Sequence, residues 1–157
     1  VDAAGPSARK LVMIGSGPEE KDVRAVVAAR GISRHVEFIP WAKQTDVLRH
    51  MSKALYLFLP SVSETFGNVV GEAAAMGLPS IVSEPCGVRD QITCDFVSGF
   101  ALPADRPEAW SHAMLRIAQD EPLWRSLSAG AYKQAEAFDA AHFLDAVSRL
   151  VQGAEAA

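Results

Sequence analysis

The sequence predicts an α/β domain in which a parallel sheet lies between layers of helices, with a helical part at the C-terminal end. Over residues 10–103, short apolar runs alternate with segments of helical period, and glycine or proline ends most of the runs. From Asp105 onward only helical patterns remain. Right-handed crossovers between the parallel strands then give a three-layer αβα, Rossmann-like domain.

The first part of the chain alternates two strands with two helices. KLVMIG is a short apolar run that ends in glycine, which predicts a buried strand. The next segment, PEEKDVRAVVAARG, is predicted as a helix because it starts with proline and acids, carries Val23, Val26 and Val27 on one face and ends at Gly31. HVEFI is predicted as the second strand, and QTDVLRHMSKA as a helix with its apolar residues on one face.

Three further strands and one helix are predicted next. LYLFLP is an apolar, strand-sized run, and a loop separates it from a helix at about residues 67–76. Gly77 is expected to end that helix, because glycine adopts the backbone conformation that follows a helix C-terminus. SIVS and GFALP then supply the last two strands.

The C-terminal part is predicted to be helical. Asp105 is expected to cap the first of these helices, with Pro107 in its first turn. Trp110 and Trp124 occupy apolar helical positions and are predicted to anchor packing. A last helix is predicted at about residues 140–152.

Composition excludes several classes of function. The net charge of −4 argues against general nucleic-acid binding, although residues 1–60 are net basic and residues 61–157 net acidic. No apolar run is long enough for a membrane span, and the first residues do not resemble a signal peptide. Neither the cysteines, Cys86 and Cys94, nor the histidines have metal-site spacing. We therefore expect no metal site and a reduced, cytoplasmic setting.

A glycine-containing loop, GSGPEE, follows the first strand. Ligands of open α/β sheets bind at the carboxyl ends of the strands, and Gly15 and Gly17 would let a ligand approach the backbone closely. The third glycine of a dinucleotide fingerprint is missing, because Glu20 stands in its place. On this loop alone, a ligand-binding role and a simple tight turn are equally supported.

A second loop, PSVSETFGN, leads from the third strand to a helix start. The N–H groups of Gly67, Asn68 and Val69 would point out of that start, where the helix dipole favours an anion such as phosphate. Glu64 and Glu72 would border the same pocket, and carboxylate oxygens accept hydrogen bonds from sugar hydroxyls. This layout suits a nucleotide sugar. The alternative from spacing alone is that Glu64 caps a turn and Glu72 is a solvated helix residue.

These residues closely resemble the C-terminal domain of retaining GT-B glycosyltransferases, the group that includes sucrose and glycogen synthases. The family signature is E-x7-E within PS-x-x-E-x-FG-x-x-x-x-EA-x-A-x-G-x-P-V-V. The positions in register are Pro60, Ser61, Glu64, Phe66, Gly67, Glu72, Ala73, Ala75, Gly77 and Pro79. The segments LVMIGSGPEE, HVEFIPW and GFALPAD also resemble family segments, in the right order. The resemblance implies one half of a GT-B fold, with residues 1–157 forming a single nucleotide-sugar-binding domain of a longer, two-domain enzyme.

The resemblance also implies roles for individual residues. Glu64 would position the donor sugar near the reacting centre and is the residue assigned to catalysis, and the N–H groups of Phe66 and Gly67 would lie nearby. Asn68 and Val69 would offer N–H groups to the diphosphate. The ribose would be held by Glu72.

The implied cleft and substrate extend beyond this loop. Gly15 and Gly17 would line the donor cleft. The implied substrate is a UDP-, GDP- or ADP-sugar, with no cofactor and no metal, in keeping with the absence of a D-x-D motif.

The resemblance finally implies a partner. Members of the family bind the diphosphate with Arg and Lys from an upstream GR-x-x-x-x-KG segment. They also have an N-terminal acceptor-binding domain. We expect the present chain to require both the upstream segment and the N-terminal domain, and to be inactive alone. Peripheral membrane association of the full-length protein stays open. A non-catalytic nucleotide-sugar-binding or regulatory module and a sugar-nucleotide epimerase remain as alternatives.

Overall fold

The computed structural model describes residues 10–137, which divide into two compact units at Val47 and Leu48. The predicted helix at residues 140–152 lies outside the described residues. No glycine-, serine- or proline-rich linker marks the division in the sequence. Within residues 10–137 no helix combines the length and the apolar character that crossing a membrane requires.

The first unit, residues 10–47, contains one parallel strand pair. Its elements are β1 (Leu11–Ile14), α1 (Glu20–Ala29), a short 3-10 helix (Ser33–His35) and β2 (Val36–Ile39), and α2 (Gln44–Met51) continues across the division. Leu11 pairs with Val36 and Ile14 with Ile39, so the two strands run side by side in the same direction. The predicted strands, helix and parallel pairing are confirmed in this unit.

Helix α1 is less amphipathic than its sequence indicates. Val23 and Val27 are half-buried, but Val26 is 57% exposed. The three valines share one side of the helix, as predicted, but that side is left exposed at Val26. The predicted end of the helix is correct, because Gly31 follows it with φ of +66°, a left-handed conformation that glycine adopts without a steric penalty.

The second unit begins at residue 48 and contains a three-stranded parallel sheet in the order β3-β4-β5. Its elements are β3 (Leu57–Leu59), α3 (Asn68–Ala75), β4 (Ser80–Ser83), β5 (Gly99–Leu102), α4 (Pro107–Gln119) and α5 (Glu121–Ala137). The central strand, β4, is buried along its whole length. A strand buried on both faces is typical of parallel sheets covered by helices on both sides.

Two hydrophobic clusters lie on the two faces of this sheet. Successive strand residues point to opposite faces. Accordingly, Ile81 packs in a cluster with Trp110 of α4, and Val82 packs in another with Val70 and Ala74 of α3. The second unit thus has the predicted helix–sheet–helix layering.

The start of α4 differs from the prediction. The helix begins at Pro107, so its N-cap residue is Arg106, and no side chain caps it. Asp105 stands one residue too early to occupy the N-cap position, and its predicted capping role is wrong. Proline at the first helical position needs little help from a cap, because its φ is already helical and it has no N–H to satisfy.

The two predicted tryptophan anchors are confirmed. Trp110 is 6% exposed and its indole Nε1–H donates to the Pro103 carbonyl at 2.8 Å. Trp124 is half-buried and its Nε1–H donates to the Leu55 carbonyl at 2.7 Å. Each indole therefore ties its helix to a segment flanking the sheet.

Candidate functional site

The loops after β3 and β4 run side by side at the carboxyl edge of the three-stranded sheet. Glu64 forms a parallel bridge with Cys86, and the Gly87 N–H donates to the Glu64 carbonyl at 3.1 Å. The Val88 N–H donates to the Phe66 carbonyl, also at 3.1 Å. Residues 86–88 thus form backbone hydrogen bonds to the loop that carries Glu64. We call these residues the bracing segment.

Gly67 joins this loop to α3 in a conformation reserved for glycine. Its φ and ψ are 93° and 53°, in the left-handed region. A Cβ at this position would lie 2.9 Å from the Cys86 Sγ and 3.4 Å from the Val88 Cγ2. Both the backbone conformation and the bracing segment therefore exclude a side chain at Gly67.

The start of α3 presents neutral hydrogen-bond donors. The Val70 N–H donates to the Gly67 carbonyl at 2.9 Å. The N–H groups of Asn68 and Val69 belong to the first turn, which has no carbonyl of its own helix to donate to. No acidic residue lies in this turn, and the N-cap glycine has no side chain to occupy its donors. The helix start can therefore receive an anion at the carboxyl edge of the sheet.

Glu64 is half-buried beside this helix start. Its carboxylate Oε1 accepts a hydrogen bond from the Phe66 N–H at 3.3 Å, which is the turn-capping contact that spacing alone allowed. The contact uses part of the acceptor capacity of one carboxylate oxygen, since each ionised carboxylate has about four lone-pair sites. Capping of the turn and acceptance of hydrogen bonds from a ligand are therefore compatible.

Glu72 lies on the side of α3 that faces away from the core. Helix residues four apart share a face, which places Glu72 in line with Asn68 of the first turn. The inward face of the helix is formed by Val70, Ala73 and Ala74, all buried. Glu72 itself is half-buried, so it is not the fully solvated helix residue of the alternative interpretation.

Gly15 and Gly17 lie in the first unit. Gly15 follows β1 with φ of +126°, and its N–H donates to the Ile39 carbonyl at 2.9 Å. Gly17 precedes α1 and accepts a hydrogen bond from the Glu20 N–H at 3.1 Å. A Cβ would meet no atom within 4 Å at either position. Gly15 is thus required by its backbone conformation, whereas the fold does not require glycine at Gly17.

The residues that support the Glu64 loop were not predicted from the sequence. A Cβ at Gly87 would lie 2.1 Å from the Thr65 carbonyl oxygen, so this position admits no side chain in the observed packing. The Ser83 hydroxyl donates to the Ser61 carbonyl and ties the end of β4 to the same loop. One signal was available: the segment CGVRDQI follows a strand whose carboxyl end lies at this edge.

Cationic side chains contribute little to the described site. Arg89, the first arginine after the Glu64 loop, places its Nε 3.2 Å from the Asp90 Oδ1 and its Nη1 3.5 Å from the Glu84 carbonyl oxygen. In the part of the chain that the structure describes, no group of three or more His, Cys, Asp or Glu residues is placed to hold a metal ion. In the second unit, an anion would therefore be bound by backbone N–H groups that two carboxylates flank.

One protein family matches most of the chain. The family model described as glycosyl transferases group 1 matches residues 6–134. The chain belongs to this family. The match extends over both described units up to residue 134 and includes every predicted site residue.

Relatives and solved structures extend the match. A D-inositol 3-phosphate glycosyltransferase of Jonesia denitrificans is 35% identical over 133 residues, which cover 82% of this chain and 31% of that protein. A sucrose-phosphate synthase from Thermosynechococcus elongatus superposes with a TM-score of 0.79 at 23% identity, over 94% of this chain and 39% of the other. HepE from Anabaena, solved with UDP-glucose, superposes with a TM-score of 0.75 at 18% identity, over 92% and 41%.

These similarities confirm the predicted family and the predicted fold class. The two structural neighbours are less than 25% identical, so they establish the α/β fold of a GT-B glycosyltransferase domain and nothing finer. The chain spans 31% of the length of the Jonesia relative. The retaining chemistry, the site roles and the single-domain organisation remain predictions.

Proposed function

We propose that this chain is the donor-binding part of a retaining glycosyltransferase. It binds a nucleoside-diphosphate sugar, and the complete protein transfers the sugar to an acceptor held by an N-terminal domain. In this proposal residues 1–157 are a single domain, the protein works in the cytoplasm, and no metal or cofactor takes part. Sequence similarity to named glycosyltransferases over 82% of the chain supports transfer as the activity.

The start of α3 carries the proposal. Gly67 leaves no side chain between the helix start and a ligand, and Asn68 and Val69 supply backbone N–H groups to the diphosphate. Charge accumulates on this diphosphate as the bond to the sugar breaks. Fixed donors that stabilise this charge lower the barrier, because they need no rearrangement during the reaction.

Each of the two carboxylates binds a different sugar of the donor. Glu64 accepts hydrogen bonds from hydroxyls of the transferred sugar, while the Phe66 N–H holds its Oε1 at 3.3 Å. Glu72 accepts hydrogen bonds from the ribose hydroxyls, and its position in line with Asn68 puts it beside the phosphate-binding turn. Glu64 thereby positions the donor, and no covalent role is assigned to it. For Gly15 and Gly17, which lie in the first unit, a role in donor binding stays a prediction.

Titration with UDP, GDP and ADP tests the nucleotide half of this proposal. The complete protein is titrated if the 157-residue chain does not bind without the upstream Arg and Lys. UDP is the first choice, since the structural neighbour HepE was solved with UDP-glucose. We expect Glu72→Gln to weaken nucleotide binding about tenfold, because a hydrogen bond to a charged group is worth about 1.5–3 kcal/mol and glutamine keeps one acceptor oxygen. Glu136→Gln, an equal charge change at an exposed position of α5, is the matched control and should leave affinity unchanged.

The results separate the alternatives. Equal affinities for Glu72→Gln and the control would remove the ribose assignment. Product analysis with the complete protein then distinguishes the activities. Sugar transfer to an acceptor, with the anomeric configuration retained, supports the proposal. Binding without transfer identifies a regulatory module, and conversion of the free nucleotide sugar identifies an epimerase. Turnover by the 157-residue chain alone would refute the requirement for an N-terminal domain.

A further inference from the structure

The bracing segment packs closely against the Glu64 loop. Its Gly87 N–H donates to the Glu64 carbonyl at 3.1 Å. A Cβ at Gly87 would come within 2.1 Å of the Thr65 carbonyl oxygen and 3.2 Å of the Phe66 Cα. These are backbone atoms, so any side chain at Gly87 must displace the loop itself rather than a flexible side chain.

Cys86 makes a second contact to the same loop. It is 2% exposed, and its thiol donates to the Phe66 carbonyl with Sγ and O 3.6 Å apart. The Sγ also lies 2.9 Å from the point that a Cβ on Gly67 would occupy. Cys86 therefore touches the residue after Thr65 and the residue that opens α3, and it fills the space between the loop and the sheet.

The ribose side of the site is held differently. Glu72 and Asn68 belong to α3, and Val70 and Ala74 anchor that helix in the hydrophobic core. A displacement of the loop that precedes the helix therefore moves the Glu64 carboxylate more than it moves Glu72. Cys86 belongs to the same cluster, whereas the contacts of Gly87 are made to the loop.

We propose that Gly87 and Cys86 are positioning residues that determine how well the site recognises the sugar of its donor. The proposal rests on the proposed function. Gly87 and Cys86 do not touch the ligand in this proposal, and they act by fixing the Glu64 carboxylate. Loss of either contact lowers the affinity for a nucleotide sugar more than the affinity for the corresponding nucleotide.

The test compares Gly87→Ala with wild type, both as the complete protein, by titration with UDP, GDP and ADP and with UDP-glucose, GDP-mannose and ADP-glucose. For the pair that wild type binds, we expect Gly87→Ala to weaken nucleotide-sugar binding about tenfold and nucleotide binding by about twofold or less.

The matched control is Gly130→Ala, whose Cβ would lie 1.8 Å from the Val97 carbonyl oxygen, again a backbone atom. Val97 precedes β5 and so lies at the opposite edge of the sheet from Glu64. The control should lower thermal stability while the ratio of the two affinities stays that of wild type.

A second pair of variants decides the outcome if Gly87→Ala does not fold. Cys86→Ala removes the thiol donor. We expect the ratio of the nucleotide-sugar affinity to the nucleotide affinity to fall about threefold. Cys86→Ser keeps a donor and should restore most of the ratio. The inference is overturned if all folded variants keep the wild-type ratio, or if both affinities fall by the same factor. Failure of the complete wild-type protein, which includes the upstream segment, to bind any of the six compounds removes the proposed function, and the inference with it.

Discussion

Replacing Gly67 by alanine probes the geometry on which the candidate site depends. The residue has φ of 93°, where an L-residue is strained whatever space surrounds it. The added Cβ would also lie 2.9 Å from the Sγ of Cys86, a buried side chain whose thiol donates to the Phe66 carbonyl. The variant therefore combines backbone strain with overpacking.

The two costs can be estimated separately. A left-handed conformation costs an alanine about 1–2 kcal/mol. Overpacking in a well-packed region costs about 1–3 kcal/mol, and the distance of 2.9 Å is closer than real Cβ contacts. We expect Gly67→Ala to lower the free energy of unfolding by about 2–4 kcal/mol, since partial relaxation of one cost reduces the other.

Urea unfolding followed by circular dichroism measures this change, and Gly77→Ala separates the two costs. Gly77 also has positive φ, +67°, in the same unit, but the nearest atom to its added Cβ is the Ser128 Oγ at 3.2 Å, a hydroxyl that needs to move only slightly. Strain should therefore account for most of its cost, about 1–2 kcal/mol. Equal losses for the two variants would refute the claim that Cys86 packs tightly against Gly67, and a loss for Gly67→Ala below about 0.5 kcal/mol would refute the left-handed conformation as well.

Two further predictions concern the support of the second unit, and urea unfolding measures both. Trp124→Phe removes the hydrogen bond of 2.7 Å to the Leu55 carbonyl, and we expect a loss of about 1–2 kcal/mol. An unchanged free energy of unfolding would show that water satisfies this carbonyl equally well. Leu127→Ala truncates a side chain with 0% exposure in the cluster around Ile81, and we expect a loss of about 3–4 kcal/mol. The same change at the half-buried Leu123 is the control, and equal losses at the two leucines would contradict the assigned core.

Most of the elements could be predicted from the sequence because their signals are local. SIVS is apolar and bounded by loop-forming residues, and it forms a strand that is buried throughout. Gly31 and Gly77 adopt positive φ after the helices they were predicted to end. Local signals were insufficient where two adjacent residues compete for one position, as at the start of α4, where Arg106 rather than Asp105 is the N-cap residue.

The candidate site was only partly predictable for a related reason. Glu64, Gly67 and Glu72 have recognisable spacing within one segment, and the structure places Gly67 at the start of α3 and Glu72 on the helix itself. Their support comes from the bracing segment, which lies after the next strand. Contacts such as Gly87 with Glu64 depend on the parallel arrangement of β3 and β4, and no pattern within either loop encodes them.

Under the proposed function, the charges of the second unit favour a nucleotide sugar over phosphate alone as the ligand. In the proposed complex, a diphosphate at the start of α3 meets neutral N–H groups but also stands between Glu64 and Glu72, and two carboxylates near an anion are unfavourable. Arg89 offsets little of this, because Asp90 lies 3.2 Å from its guanidinium. Hydroxyl groups on both sides of the diphosphate change the balance, since each donates a hydrogen bond to a carboxylate. In the proposed complex, a ribose on one side and a hexose on the other provide this arrangement, so the acids that oppose a free anion would favour the complete donor.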